Sequence, residues 1–253
     1  MQDIYAELPS LEELLRFGGC IADQQMVKSD MTPDGVSNVL RLCEALWRHP
    51  GDSNAPHAVL TSGKHSNGFV DTLRALSYTH VCSLLAYHLV RKIEEYEDEQ
   101  MDTNPDLPLG IHWVVGSDHA GAVFSHDVAR WLGARHDFTE KGPNGSQIWK
   151  RLTIESFEKV LQVEELVTTC GTLHAVRQGL TDGGKRKVSF KPYAATLIHR
   201  SDQYHVDEAC TEPIIFLAHY DIQTWEPEKC PLCAQGSKAI KEPKKNWAEL
   251  NNG

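Results

Sequence analysis

Val160-Leu161-Gln162-Val163-Glu164-Glu165-Leu166-Val167-Thr168-Thr169-Cys170-Gly171-Thr172-Leu173, followed by His174-Ala175-Val176-Arg177-Gln178-Gly179-Leu180, is the stretch whose reading decides the fold. Val160, Leu161 and Val163 form a short apolar run of buried-strand type, whereas Leu173, Val176 and Leu180 recur at helical spacing. A strand therefore gives way to a helix across Glu164 to Thr172. The first N–H groups of a helix lack partners within it and lie at the positive end of its dipole, so a turn of this kind suits an anion. Thr168, Thr169 and Thr172 add hydroxyl donors, and Gly171 lets the backbone come close to a ligand. Glu164 and Glu165 place two carboxylates beside that anion site, which is costly unless they accept hydrogen bonds or face a cation. A sugar phosphate meets both demands, its hydroxyls donating to the acids and its phosphate taking the turn. An ordinary loop with two solvated acids has the same spacing.

Working outward, Ile111-His112-Trp113-Val114-Val115 reads as another buried strand, and Gly116-Ser117-Asp118-His119-Ala120-Gly121 turns into a helix bearing Val123, Phe124, Val128 and Trp131. This is a second helix terminus able to meet an anion. It is not a P-loop, since no Lys-Ser or Lys-Thr follows the glycines, and no G-x-G-x-x-G occurs in the chain. Tyr193 to Arg200 is a strand ending in a base, and Pro213 to Tyr220 is a last strand. Strands near 112, 161, 194 and 214, with helices between at least the first three, predict an α/β fold with an open, mainly parallel sheet flanked by helices. Ligands in such sheets lie outside the carboxyl ends of the strands, where Gly116–Gly121, Glu164–Thr172 and Arg200 all fall.

The central stretch resembles the phosphoribosyl-pyrophosphate loop of the type I phosphoribosyltransferases, which reads as apolar residues, two acids, two variable residues, Thr-Thr-Gly and a small residue. Here Cys170 stands before the glycine, and Glu165 stands where aspartate is usual. Residues 57–71 are similar to the early hairpin of the orotate branch of that family, matching at Leu60, Ser62, Gly63, Ser66, Phe69 and Asp71, with Thr61 where lysine is common. The resemblance implies a transferase that uses phosphoribosyl pyrophosphate, Mg²⁺ and a pyrimidine-like nucleobase. Glu164, Glu165, Thr168, Thr169, Cys170, Gly171 and Thr172 would hold the sugar phosphate, with Lys141, Glu164 and Glu165 as the catalytic set. Ser117, Asp118, His119, Ala120 and Gly121 would form the pyrophosphate loop, and Lys64, Phe69 and Arg200 would bind the base, Phe69 by stacking and Arg200 by a two-point contact with a carboxylate. Cys170, Glu165, Thr61, Ala120 and Glu140 depart from the family pattern and leave a second reading, a non-catalytic sensor of a nucleotide or of phosphoribosyl pyrophosphate. A general sugar-phosphate enzyme or α/β hydrolase is a third, without a Gly-x-Ser-x-Gly elbow to support it.

Three further segments frame this core. Residues 1–55 are expected to form an N-terminal helical hood, with a capping box at Ser10 and Glu13 and with Val36, Val39, Leu40, Cys43, Leu46 and Trp47 at helical spacing. Residues 56–225 form the transferase-like domain and 226–253 a tail. Within the domain, 79–97 reads as a helix, 94–106 as an acidic surface insertion, and 136–151 either as a mobile flap carrying Lys141 or as an ordinary surface hairpin; Lys150 and Arg151 are candidates to offset Glu140. Cys230-Pro231-Leu232-Cys233 in the tail has thiolate spacing for a structural zinc site, completed by Cys20, Cys210, His205 or His219, or else is an unliganded turn.

The chain has 253 residues, 41% of them hydrophobic, enough for one domain with small additions. A net charge of −10 argues against nucleic acid or an anionic membrane as partner. Seven irregularly spaced cysteines fit a reducing compartment, and neither a signal peptide nor an apolar run of ~20 residues is present, so a soluble cytoplasmic protein is expected. The resemblance adds a homodimer.

Overall fold

The computed structural model describes residues 3–18, 29–103, 110–184, 186–209 and 211–251. Helix α1 (Leu11–Gly18) opens with Ser10 Oγ accepting the Glu13 N–H, as the capping box predicts. Helix α2 (Pro33–Leu42) is capped by Thr32 and ends earlier than its apolar spacing suggests. The chain reverses at Glu44, whose φ is +52°, and Leu46 and Trp47 fall in strand β1 (Leu46–Arg48). Strands β2 (His57–Val59) and β3 (His65–Ser66) form the expected hairpin, while β4 (Gly68–Val70) leaves it to pair antiparallel with β1. Helices α3 (Thr72–Leu76) and α4 (Thr79–Thr103) follow. The acidic segment from Glu94 continues the helix through Thr103, where Tyr96 and Glu97 are anchored: Tyr193 and Lys191 both bond to Glu97, and Tyr96 packs edge-on to Tyr193. The insertion's end, 104–106, lies outside the described residues.

Strand β5 (Trp113–Gly116), helix α5 (Ala120–Leu132) and strand β6 (Arg135–Phe138) form the first βαβ unit. Strands β7 (Glu140–Lys141) and β8 (Gln147–Ile148) then make a short antiparallel hairpin. Strand β9 (Lys159–Val167) runs further than its sequence suggests and includes both Glu164 and Glu165, leaving only Thr168–Cys170 as the turn into α6 (Gly171–Gly183). Strands β10 (Ser189–His199) and β11 (Ile214–His219) complete a five-stranded sheet of order β6-β5-β9-β10-β11, parallel throughout.

Alternation along the strands sorts the core. Val114, Leu161, Val163 and Leu197 face one side with Leu85 and Leu89 of α4 and Phe124 and Val128 of α5, whereas Trp113, Val115 and Val160 face the other with Val176 and Leu180 of α6. Leu14, Val36, Val39 and Leu40 join the first of these clusters, so the N-terminal helices share the core of the sheet.

The tail is part of the structure rather than an appendage. Strand β12 (Thr224–Trp225) pairs with β3, and beyond the short helix α7 (Pro231–Ala234) strand β13 (Ala239–Ile240) pairs with β2, giving a four-stranded sheet β12-β3-β2-β13. Helix α8 (Trp247–Asn251) lays Trp247 and Leu250 on Trp47, Ala58, Phe69 and Ile240. Among the described residues, no helix is long and apolar enough to cross a membrane.

Candidate active site

Sheet order β6-β5-β9-β10-β11 reverses direction between β5 and β9, and a ligand crevice is expected beyond the carboxyl ends of the strands at such a point. Two loops meet there. After β5, Ser117 donates through its N–H to Glu164 Oε1 at 3.1 Å and through its hydroxyl to Glu164 Oε2 at 2.6 Å. Gly121, in the first turn of α5, lies so close that an added Cβ would stand 2.6 Å from Ser117 Oγ and 2.8 Å from Glu164 Oε2. Loss of solvent, with the charge of Glu165 adding to it, pushes the Glu164 carboxyl up to about 8. Glu165 is pushed up to about 7, by burial and by Asp118. Neighbouring His119 adopts φ +59° and ψ −115°, a sparsely populated backbone region for any side chain, of the kind that gathers at functional sites.

The turn after β9 is open to solvent at Thr168, Thr169, Gly171 and Thr172. Cys170, at the N-cap of α6, makes no side-chain cap. Its thiol is buried with Val167, Leu173 and Val206 and donates to the His205 carbonyl, so only its backbone remains for an anion. The N-terminus of this 13-residue helix is therefore not sealed by its own cap residue.

A cavity flanks the turn on each side. The first, about 1180 Å³, is lined by Leu60, Ser62 and Lys64 of the β2–β3 turn, by Thr168 and Thr169, and by Arg200, Tyr204, His219 and Trp225. Arg200 follows β10 and is fixed by its N–H to the Val167 carbonyl at 2.8 Å; its guanidinium Nε is buried and has no hydrogen-bond partner among the described residues. Arg200 is among the residues that line this cavity, and a guanidinium there suits a carboxylate. Lys64 reaches the same cavity and pairs with Glu226 at 3.1 Å. Phe69 is not among the residues lining it. It is buried against Trp247, ring centroids 6.3 Å apart, because the returning C-terminal helix covers it, so the predicted stacking role does not fit. The rings lining the cavity are those of Tyr204, His219, Tyr220 and Trp225.

The second cavity, about 510 Å³, is lined by Ser117, Asp118, His119, Ala120, Lys141, Glu165, Thr172 and, from the tail, Asp71-bound Lys244. Lys141 thus reaches the crevice from a docked hairpin and not from a long flap. Lys150 and Arg151 both close on Glu140, which keeps that carboxyl ionised below its ordinary range, so they neutralise it instead of facing the cavity. Lys244 was missed in the sequence because nothing local ties residue 244 to the sheet; its partner Asp71 lies in an early loop.

Cys230 and Cys233 come together with His57 and His65, not with the histidines considered earlier: His205 contacts Cys170 and His219 lines the first cavity. Cys20 and Cys210 lie outside the described residues.

No family model matches the chain. It is 29% identical over 185 residues to the orotate phosphoribosyltransferase of Desulforamulus reducens, covering 73% of this chain and 86% of that one. It is 30% identical over 203 residues to the enzyme of the same name from Sulfurovum sp., covering 75% and 94%. Among solved structures it is similar to the orotate phosphoribosyltransferase of Aeropyrum pernix, with a TM-score of 0.44 at 18% identity over 73% of this chain and 93% of that one. Because the identity with the Sulfurovum protein extends over nearly all of that enzyme's length, the chain belongs to the orotate phosphoribosyltransferases and is a pentosyl-transferring enzyme.

Proposed function

We propose that the enzyme transfers ribose 5-phosphate from phosphoribosyl pyrophosphate to orotate, binding the sugar phosphate across the β9–α6 turn, the base in the first cavity and the diphosphate in the second. The observation that carries this reading is the division of the crevice. Paired acids stand at the end of β9, with an arginine lining the cavity on one side and two lysines lining the cavity on the other. Orotate is planar and carries a carboxylate, so it suits Arg200 and the rings around it. Thr168, Thr169, Gly171 and Thr172 would take the 5′-phosphate at the start of α6. Glu165, which lines the second cavity, would accept from the ribose hydroxyls and favour the positive charge that develops on the sugar as the C1–O bond to diphosphate breaks and the base nitrogen bonds to C1, with Glu164, buried beside it, holding the Ser117 loop in place. Ser117, the backbone through Gly121, Lys141 and Lys244 would hold the departing diphosphate.

Magnesium fits as a companion of that diphosphate. Asp118 and Glu165 line the second cavity, and the charge of Asp118 adds to burial in pushing the Glu165 carboxyl up. They fall short of a full ligand set, since the one cluster of three or more metal-binding side chains among the described residues is the His/Cys group. Bound on the diphosphate oxygens, the ion would neutralise leaving-group charge, with Asp118 and Glu165 to receive it.

The test is pyrophosphate release on mixing enzyme, phosphoribosyl pyrophosphate, Mg²⁺ and orotate, against uracil, adenine and hypoxanthine. Release with orotate alone is expected. Tight binding without turnover for every base would overturn the reading in favour of a sensor. The homodimer and the cytoplasmic location belong to the same proposal, and light scattering on the eluted protein tests the former.

A further inference from the structure

His57 Nε2 and His65 Nδ1 are 2.9 Å apart, Cys233 Sγ lies 3.2 Å from His65 Nδ1 and 3.5 Å from His57 Nε2, and Cys230 Sγ lies 3.7 Å from His57 Nε2. All four ligand atoms fall within 4.8 Å of one another. A tetrahedral ion with Zn–N of ~2.0–2.1 Å and Zn–S of ~2.3 Å sets nitrogen and sulfur ligands about 3.5 Å apart, and the three S–N separations of 3.2, 3.5 and 3.7 Å centre on that value, while the two nitrogens, at 2.9 Å, need to part by about 0.4 Å to admit the ion. We propose that His57, His65, Cys230 and Cys233 form a structural zinc site that fastens the C-terminal segment to the hairpin lining the base cavity.

The chemistry of the set favours zinc. Two imidazoles and two thiolates in a tetrahedral arrangement match its softness and geometry, and four protein ligands leave no position open for a substrate, which marks a structural ion. His57, His65 and Cys230 are buried, so their polar atoms need partners. The outer shell is also built. His57 Nδ1 lies 2.8 Å from Ser237 Oγ, and that hydroxyl in turn donates to the Ala55 carbonyl at 2.6 Å, so the imidazole N–H is directed to Ser237 and Nε2 is left to the metal. Gly236, at φ +90°, makes the turn that brings Ser237 back under the ring after the second cysteine. Binding releases the two thiol protons, since it is the thiolates that coordinate.

The site joins parts of the chain far apart in sequence. His57 and His65 sit on β2 and β3; Trp225, paired with His65, and Leu60, Ser62 and Lys64 line the first cavity; the cysteines begin the segment that carries Lys244 to the second. A zinc ion here would fix both cavity walls without touching substrate.

The experiment uses the full chain, purified without chelator and without substrate, so its outcome does not depend on the transfer reaction. Elemental analysis is expected to find about one zinc per chain in the wild type and less than about a tenth of that in C230S/C233S. Since loss of a folding metal also unfolds the site, the wild type carries a second test: cobalt exchanged for zinc should give the intense visible bands of tetrahedral coordination and thiolate charge transfer. Alkylation of Cys230 and Cys233, mapped by mass spectrometry, should be slow until the metal is chelated. A wild-type chain without metal, an octahedral cobalt spectrum, or a Cys230–Cys233 disulfide in freshly reduced protein would each overturn the proposal.

Discussion

Glu164 is a buried acid whose folded-state pKa, about 8, lies above the unfolded value of 4.5. Between those values the folded chain holds a proton that the unfolded chain has lost. The stabilisation is therefore complete below the unfolded pKa and is lost as pH rises through the folded one; Glu165, raised to about 7, acts with the same sign. The ligand-free protein should lose melting temperature progressively from about pH 4.5 to about pH 8, and Glu164→Gln should flatten that slope and melt several degrees higher at the alkaline end, at ~2–4 °C per kcal/mol for a chain of this size. Melting curves that coincide across this range would contradict the burial argument. Arg200 gives the second residue-scale expectation: Arg200→Ala should raise KM for orotate about 10- to 100-fold, the worth of a charge-assisted hydrogen bond, and leave KM for phosphoribosyl pyrophosphate within about twofold. Arg200→Lys should restore little, because an ammonium lacks the planar fork. Steady-state kinetics with each substrate varied separates these outcomes. Both acids and Arg200 were legible in the sequence because each sits at the end of an apolar run that announces its strand. Phe69 was misread because its partner, Trp247, is joined to it only by the closing of the tail.

At the scale of elements, the strand–turn–helix units were legible because a short apolar run followed by helical spacing is a local signal, whereas segment 136–151 was not. Gly142-Pro143-Asn144-Gly145 has the same composition in a mobile flap and in a tight hairpin. What decides is α6: a Cβ at Gly179 would collide with the Gln147 carbonyl, and one at Gly183 with the Trp149 carbonyl, so these two glycines, one turn apart, let the hairpin lie flat on the helix. Trp149 is buried there, edge-on to Trp113 with centroids 6.0 Å apart. Lys141 is held over the second cavity from this platform. Gly179→Ala meets backbone and not a flexible side-chain end, so it should lift the hairpin, cost about 1–3 kcal/mol in denaturant unfolding and raise KM for phosphoribosyl pyrophosphate while sparing orotate. An unchanged unfolding midpoint would show that the hairpin is not seated on the glycine. The end of α2 follows the same logic: Leu46 and Trp47 fit helical spacing, but the reversal at Glu44 turns them into a strand whose partner, β4, local periodicity cannot reveal.

Across the whole molecule, the notable problem is charge. A chain of net charge −10 has to hold a diphosphate beside three of its own acids, Asp71, Asp118 and Glu165. Ala120 and Glu140 bring no cation to this end of the sheet, and Lys150 and Arg151 are drawn onto Glu140. The fold answers from its far end. The chain crosses back as β12, just before the tail, and as β13 within it, on either side of the β2–β3 hairpin, and Arg74 grips the tail through the Lys244 carbonyl at 2.9 Å while stacking over Trp247, 4.8 Å from the ring centroid. Lys244 is left over the second cavity, held by Asp71 at 3.0 Å. With Lys141 it supplies the two lysines that line that cavity. Lys244→Ala should therefore raise KM for phosphoribosyl pyrophosphate several-fold, by about 0.5–1.5 kcal/mol for a partly exposed cation, with KM for orotate unchanged and with the penalty shrinking as salt is added. Lys238→Ala, which removes an equally tail-borne charge paired with Glu249 away from both cavities, is the control for net charge alone. Equal effects of the two substitutions would mean that the tail contributes only bulk charge; a difference confined to Lys244 and to the diphosphate substrate would mean that the tail completes the active site.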